Sequence, residues 1–598
     1  MPETSTDVTH AVGVRRLAVG LGQGLVLYLM FQAKEHRVWP STDLAMFQAL
    51  LLPALFAPLA AMHAYAHLPL RRLAGWLALI VTVCAVVGFC DGYKNGGGLD
   101  VARWEPGLLL IATGVGLFIA QALVLAANTD GQRIARYATY FDAAWKHGVQ
   151  AAAGIGFAGA LWLLLFLGAS LFKLIKLTFL SDLMQEAWFG IPITTMALAI
   201  AIHLTDVRAS LVRGIRTLAL TLLSWLLPLL VVIVAGFVVS LPFTGLQPLW
   251  DTNFAAGLLL AVSAALIVLI NAAYQDGLPD TRAHSVLRWT MTVAAVLPAP
   301  LIAIAAYALA LRVQQYGWTG DRVYALACVA VGACYAVGYI AAAAQRAAPL
   351  KAVEKANIVT SFVAIGILVL LFTPIADPAR IAVASQVARL EKGLISPENF
   401  DYRYLRFAGG RYGVRALERM KAGVVQVAGV NDRAAQALAL EAPHQNAQVD
   451  RAGLALNVTA AAGHTLPPSF LEQDWTAPLK TDAAPWPSAS FMTPPCLHEP
   501  GERCEAVVRD LDGNGTDDVI LLSSLTGMPP LIFSYDNGIW APAGQLPARF
   551  GCADMRAVLR SGDFKTVPSR WPDLEISGVR AGIAERSEYM PADCPKTE

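Results

Sequence analysis

The run Asp510-Leu511-Asp512-Gly513-Asn514-Gly515-Thr516-Asp517-Asp518 puts oxygen donors at alternating positions of a glycine-rich turn. That spacing suits a hard cation that takes several oxygen ligands at once, Ca²⁺ above all. Asp510, Asp512 and Asn514 stand at positions one, three and five, and Gly515 at position six permits the sharp turn that gathers them. Thr516 offers its backbone carbonyl at position seven, and Asp518 offers a direct or water-mediated carboxylate at position nine. Leu521 occupies position twelve, where an EF-hand carries a bidentate glutamate, so the pattern is closer to the short calcium loops of exported repeat domains. Val507 and Val508 before the loop and Val519 and Ile520 after it predict two strands tied together by the ion, a structural rather than catalytic role. The same residues could instead form an Asp/Asn/Gly turn whose side chains cap backbone amides.

Other chemistry is sparse. Among the histidines before residue 374, His10, His36, His63, His67, His147 and His203 have no compact metal-ligand spacing, and His444, His464 and His498 are separated by irregular sequence. No serine sits in a nucleophile elbow and no glycine-rich stretch forms a phosphate cradle, which points away from an enzyme. Cys84, Cys90, Cys328 and Cys334 fall in apolar runs as small buried thiols. Cys496, Cys504, Cys552 and Cys594 fall in the polar tail, an even number that suits an exported domain with two disulfides. The expected pairs are Cys496 with Cys504, across a loop containing Pro500 and Gly501, and Cys552 with Cys594.

The elements that carry these residues follow from composition. Of 598 residues, 56% are hydrophobic and only 15% charged, against about 25% charged in ordinary soluble domains. The apolar residues are concentrated before residue 374 in runs near the roughly 20 residues that a helix needs to cross hydrocarbon. The fold class predicted is a predominantly α, polytopic transmembrane bundle of about 11 helices, at 16–32, 43–65, 73–92, 106–126, 149–172, 187–204, 214–240, 254–273, 289–311, 323–344 and 357–373, followed by a mixed α/β C-terminal domain. The domains expected are an N-terminal segment 1–15, the membrane domain 16–373, a helical membrane-proximal region 374–441 and a distal domain 442–598. The first span is the weakest, because the run Ala18 to Phe31 is short and diluted by Gly20, Gly22 and Gln23, and a tilted or partly interfacial helix is the alternative to a full crossing. Residues 127–148 predict a charged loop with a short interfacial helix, 173–186 an amphipathic helix on the opposite face, and 241–250 a proline-rich aromatic segment. Pro228, Pro298 and Pro300 predict kinks. Helices are expected at 377–394, 410–420 and 432–441, and strands at 504–508, 519–522 and 531–535, with another starting at Ile539.

With the N-terminus inside, the inside connections hold 15 basic residues and the outside connections eight. That bias predicts a cytoplasmic N-terminus, and 11 crossings then export the C-terminal domain. A formal net charge of +1 and the lack of a basic-aromatic module give no support for a nucleic-acid partner. Asp91, His203, Asp206, Asn271 and Arg312 lie near predicted span boundaries, where snorkelling and capping explain them more simply than a pathway through the bundle.

Several segments resemble the bacterial membrane-protein family defined by domain of unknown function 4153. They are Gln23-Gly24, Trp39-Pro40-Ser41-Thr42-Asp43, Tyr316-Gly317-Trp318-Thr319, Arg322-Val323-Tyr324, Pro374-Ile375-Ala376-Asp377-Pro378, Phe400-Asp401-Tyr402, Leu405-Arg406-Phe407 and Gly410-Arg411-Tyr412-Gly413. The resemblance implies a many-helix protein of the bacterial inner membrane and transfers no activity or catalytic residue. In the turn at 316–319, Gly317 is expected to permit a tight backbone turn, Thr319 to cap the next helix and Trp318 to sit at the lipid-water boundary. Two function classes remain. One is a non-enzymatic envelope factor in contact with membrane lipids, a scaffold whose periplasmic domain binds an envelope or inner-membrane protein. The other is a transporter or permease-like subunit using the bundle as a substrate pathway.

Overall fold

The computed structural model describes residues 5–95, 107–246, 255–277, 285–345, 350–440, 457–473, 475, 494–497, 503–523, 529–536, 538–567, 574–576 and 579–581. It divides into two compact units, Met1–Leu438 and Ala439–Glu598.

The larger unit contains 11 candidate membrane spans among the described residues. They are formed by α1 (Ser5–Glu35), α2 (Leu44–Ala64), α3 (Leu70–Asn95), α4 (Gly107–Asp130), α5 (Tyr137–Leu174), α7 (Ala187–Val207), α8 (Ala209–Thr244), α9 (Ala255–Tyr274), the pair α10 (Ser285–Ala294) and α11 (Pro298–Tyr316), α12 (Gly320–Ala343) and α13 (Ala352–Leu371). A short exposed helix, α6 (Phe179–Gln185), occupies the amphipathic segment expected between α5 and α7. Helices are the natural form for such runs, because each satisfies its backbone polar groups without water.

Contacts between span ends show regular alternation. Arg16 near the start of α1, Met62 near the end of α2, Lys146 in the first part of α5 and Asp206 at the end of α7 meet at one face. The starts of the first and fifth spans and the ends of the second and sixth therefore share one face, as successive antiparallel crossings require.

Three local expectations change. The glycines of the first span do not weaken it: α1 is 31 residues long, and Gly20 and Gly24 form its seam against α7. A Cβ on Gly20 would lie 2.7 Å from Ala199 Cβ, and one on Gly24 would lie 2.5 Å from Pro192 Cα. Residues 127–148 form no separate interfacial helix. Asp130 accepts hydrogen bonds from the Arg136 amide (2.8 Å) and Thr139 Oγ1 (3.0 Å), so the chain reverses at once. Asp142 and Lys146 then belong to the first turns of α5, whose 38 residues reach about 57 Å at 1.5 Å per residue. Pro298 does not kink a continuous helix either. It begins α11 after a turn at 295–297, where its missing amide costs nothing. Pro228 is carried inside α8, and of the 241–250 segment residues 247–250 lie outside the described residues.

A second glycine pair closes α2 on α3. Cβ atoms at Gly88 and Gly92 would lie 2.4 Å from Gln48 O and 2.5 Å from Leu44 O. Small residues four apart let helix backbones touch, which matters where lipid is as apolar as the side chains.

After α13 come α14 (Pro378–Glu391), α15 (Tyr402–Phe407), α16 (Gly410–Lys421) and α17 (Val430–Ala439). Asp377 caps α14 by accepting from the Ala379 amide at 2.8 Å, with Pro378 in the first turn. Helices α14 to α17 enclose their own core around Val383, Leu405, Leu417, Met420 and Val430.

The smaller unit is built on a five-stranded sheet in the order β1 (Val458–Ala460), β2 (Cys504–Arg509), β3 (Asp518–Ser523), β4 (Leu531–Asp536), β5 (Ile539–Gln545). The β1–β2 pair is parallel and the others antiparallel. Strand β3 is buried along its whole length, because side chains alternate between two covered faces. Val519 and Leu521 join Phe470, Phe533 and Trp540 on one face, and Ile520 and Leu522 join Val507 and Leu559 on the other. Phe470 lies on α18 (Pro468–Glu472) and Leu559 on α19 (Ala553–Ser561). A two-stranded ladder, β6 (Leu574–Ile576) and β7 (Val579–Ala581), completes the described part.

Gly24→Leu should drive α1 away from α7 and destabilise the detergent-solubilised protein by about 1 to 3 kcal/mol. Gly22→Leu should leave the thermal midpoint unchanged, since a Cβ there meets nothing within 4 Å. Equal midpoints for the two variants would show that this seam does not hold the helix.

Candidate functional site

The aspartate-rich turn joins β2 to β3. Antiparallel pairing of Arg509 with Asp518 brings the two ends of the loop together, and Gly513 (φ 77°) and Gly515 (φ 84°) supply the left-handed backbone that folds it inward. Asp510, Asp512 and Asp518 each direct a carboxylate oxygen to one point, with those atoms all within 4.8 Å of one another. Part of their capacity goes to the loop itself. Asp510 accepts from the Gly513 (2.7 Å) and Gly515 (3.0 Å) amides, Asp512 from the Asn514 amide (3.0 Å) and Asp518 from the Leu511 amide (3.0 Å). Asn514 turns its side-chain oxygen to the Thr516 amide at 2.7 Å and its nitrogen to Asp512 at 3.0 Å. The turn thus brings three of the predicted ligands together and engages Asn514 in local bonds. Electrostatics differ across the cluster. Hydrogen bonds from backbone amides, Gly515 foremost, hold Asp510 below the usual carboxylate range. Burial pushes Asp518 up, and the neighbouring Asp512 and Asp510 add to the rise. Asp518 is only 3% exposed, so its charge lacks water and faces like charges.

Cys496 and Cys504 form the expected disulfide, with Cα atoms 5.8 Å apart, at the start of β2. Cys552 is buried and disulfide-bonded, while Cys594, its expected partner, lies outside the described residues.

Inside the membrane unit, four helices close a polar ring. Tyr137 of α5 donates to Asn271 Oδ1 of α9 at 3.1 Å, and Asn271 Nδ2 donates to the Tyr339 hydroxyl of α12 at 2.7 Å. Tyr339 donates to Asn357 Oδ1 of α13 at 2.8 Å, and Asn357 Nδ2 returns to Asn271 Oδ1 at 2.5 Å. Beside the ring, Tyr274 donates to Glu354 at 2.9 Å. Of these residues only Asn271 stands out in the sequence reading. Asn357 is the one amide side chain in α13, a signal that could have raised it, but its partners come from three other helices.

A second cluster gathers on Asp206. Arg16 approaches it at 2.7 Å, Lys146 at 2.8 Å and His67 at 3.4 Å. Arg16, 2% exposed, also donates to the Met62 carbonyl at 2.9 Å. Nearby, the rings of His63 and His147 lie edge to face at 5.4 Å. Spacing along the chain could not reveal this group, because His63 and His67 flank the end of α2 while His147 and Lys146 come from α5.

Two cavities of this unit have mostly apolar walls. One of about 160 Å³ lies between α3, α4 and α13, lined by Trp76, Ile80, Val83, Leu117, Leu368 and Phe372 among others. Another, between α11 and α12, has Gln314 among its few polar wall groups.

The turn at 316–319 behaves as a docking point for α14. Gly317 has φ 77°, and a Cβ there would lie 2.6 Å from Arg389 Cδ. Gln386 donates to the carbonyls of Tyr316 (3.0 Å) and Trp318 (2.9 Å), and the Trp318 amide donates to Ser385 Oγ (3.1 Å). Thr319 stands at the cap position of α12 without a side-chain capping bond, and Trp318 packs partly buried against the core of the bundle.

A bundle of 11 apolar helices joined to a small mixed-sheet unit defines a multi-pass membrane protein. The chain belongs to the family described as domain of unknown function DUF4153, whose model matches residues 21–420. No curated protein and no solved structure matches the chain.

Asp206→Leu should leave Arg16 buried without its carboxylate and destabilise the solubilised protein by about 2 to 3 kcal/mol, below the full cost of breaking a buried pair because Lys146 and His67 are partly exposed. Adding Arg16→Met should restore part of the loss in thermal unfolding. A double variant no more stable than Asp206→Leu alone would show that the pair is not what holds these helices.

Proposed function

We propose that this chain is a non-enzymatic envelope factor of the bacterial inner membrane, with the bundle as an integral scaffold and the C-terminal unit as a periplasmic partner-binding domain. The observation that carries this reading is the interior of the bundle. The ring of Tyr137, Asn271, Tyr339 and Asn357 spends its hydrogen bonds on itself, and glycine seams bring backbones into contact. Polar groups satisfied by one another hold helices together and leave little to a hydrophilic substrate. The apolar walls of the α3–α4–α13 cavity suit a lipid chain. The excess of basic residues in the inside connections supports a cytoplasmic N-terminus.

A second reading, a transporter or permease-like subunit, draws on the Asp206 cluster and on Gln48 of α2, which is 0% exposed with neither side-chain polar atom bonded among the described residues. Ionisable and polar groups within spans are costly and mark pathways in many membrane proteins.

In intact cells, a membrane-impermeant maleimide should label an introduced Asp563→Cys, and an impermeant crosslinker at that position should capture one envelope protein reproducibly. Labelling only after the membrane is opened would reverse the orientation. Solute flux through liposomes holding the purified chain, abolished by Asp206→Asn, would favour the transport reading instead.

We further propose that the turn at 510–518 holds a structural Ca²⁺. Three convergent carboxylates, one of them buried against the other two, carry repulsion that a divalent cation relieves. Its role is to brace β2 against β3. Isothermal titration of the full chain should show saturable Ca²⁺ binding that Asp510→Asn and Asp512→Asn weaken at least tenfold, with Mg²⁺ a poorer ligand. An absence of heat at millimolar free Ca²⁺ would leave the turn as a self-capped scaffold.

A further inference from the structure

Two arginines of α16 converge on one tyrosine where α3 ends. The Arg411 guanidinium lies over the Tyr93 ring at 4.1 Å, and Arg415 Nη2 donates to the Tyr93 hydroxyl at 3.3 Å. Arg411 and Arg415 are one helical turn apart, so their charges share a face and repel. Neither forms an ion pair with a carboxylate among the described residues, and Arg411 Nε is buried with no hydrogen-bond partner.

The helix itself adds to the imbalance. Arg411 occupies the second position of α16, where the macrodipole is already positive. The capping residue is Gly409, without a side-chain bond, and the first turn carries no acidic residue. Around this corner stand Lys94, which is paired with Asp91 at 2.9 Å, and Arg380 and Asp377, whose fields reach Tyr412 together with that of Lys94. Asp377 is committed to the cap of α14. Of the carboxylates at this corner, Asp91 is thus engaged by Lys94 and Asp377 by the cap of α14.

Position selects the missing partner. Tyr93 lies two residues from the end of a membrane-spanning helix and is 42% exposed, which places it at the level of lipid headgroups. Deeper on the same helix, Val83 and Val87 line the apolar cavity that Phe372 closes. A phosphate group carried on an acyl chain matches both features. Arginine presents a planar fork that suits phosphate oxygens.

We propose that Arg411 and Arg415, with Tyr93 and the amino end of α16, bind a phosphate oxyanion, and that a phospholipid headgroup supplies it. The lipid then bridges α16 and α3.

The full chain is purified in detergent, mixed with phosphatidylglycerol and examined by native mass spectrometry, and in parallel titrated with inorganic phosphate by thermal shift. Arg411→Gln/Arg415→Gln should lower the apparent affinity for the most tightly held lipid about tenfold or more, whereas Arg419→Gln on the same helix should not. Arg415→Gln alone, at an exposed site, should give a smaller loss in the same direction and keeps the test decisive if the double variant fails to fold. Equal lipid retention, together with phosphate stabilisation that only the wild type shows, would overturn the lipid source and assign the site to a soluble oxyanion. Equal lipid retention and equal phosphate response in wild type and variants would overturn the site altogether.

Discussion

Hydrocarbon gives one apolar helix almost no reason to prefer another helix over lipid, so a bundle in it depends on how closely backbones can approach. In this protein the approach is made by glycine pairs four residues apart. Gly20 and Gly24 seat α1 on α7, and Gly88 and Gly92 seat α3 on α2. At these seams the dispersion contacts are dense enough to compete with those that lipid would make.

Hydrogen bonds between helices complete what the seams begin. Pro58 inside α2 has no amide to offer the carbonyl of Ala54, and Gln23 of α1 donates to Ala54 (3.3 Å) and Leu55 (2.7 Å) instead. Gln121 of α4 accepts from the Trp76 indole of α3 at 2.6 Å and donates to the Ala60 carbonyl of α2 at 3.4 Å. The Tyr137–Asn271–Tyr339–Asn357 ring does the same for α5, α9, α12 and α13. These polar side chains therefore serve as joints, each placed where a second helix offers a complementary group.

The segments that carry the family resemblance acquire physical roles from these joints. Ser41 donates to the carbonyls of Ala33 (2.6 Å) and Val38 (2.8 Å), and Asp43 caps α2 through the Ala45 amide (2.9 Å), so Trp39-Pro40-Ser41-Thr42-Asp43 closes the α1–α2 turn. Tyr316-Gly317-Trp318-Thr319 receives α14. Gly410-Arg411-Tyr412-Gly413 opens α16 against the end of α3, where a Cβ on Gly410 would lie 2.7 Å from the Lys94 carbonyl. The last two are places where helices after the last span meet the bundle.

The sequence by itself determined the number of spans, because hydropathy over about 20 residues is a local quantity. It also determined α14, α16 and the strands β2 to β4, whose periodicity and caps are local too. The aspartate turn was legible for the same reason, since its donors lie within nine consecutive residues. Tertiary structure alone decided the rest. Gly20 read as a weak point of a span until α7 lay against it, and Pro298 read as a kink until the chain turned ahead of it. Asp206, His67 and Lys146 sit on separate elements, as do Tyr93 and Arg411, so their meeting depends on helix order and rotation. Spacing along one chain carries no record of which faces of two helices will touch.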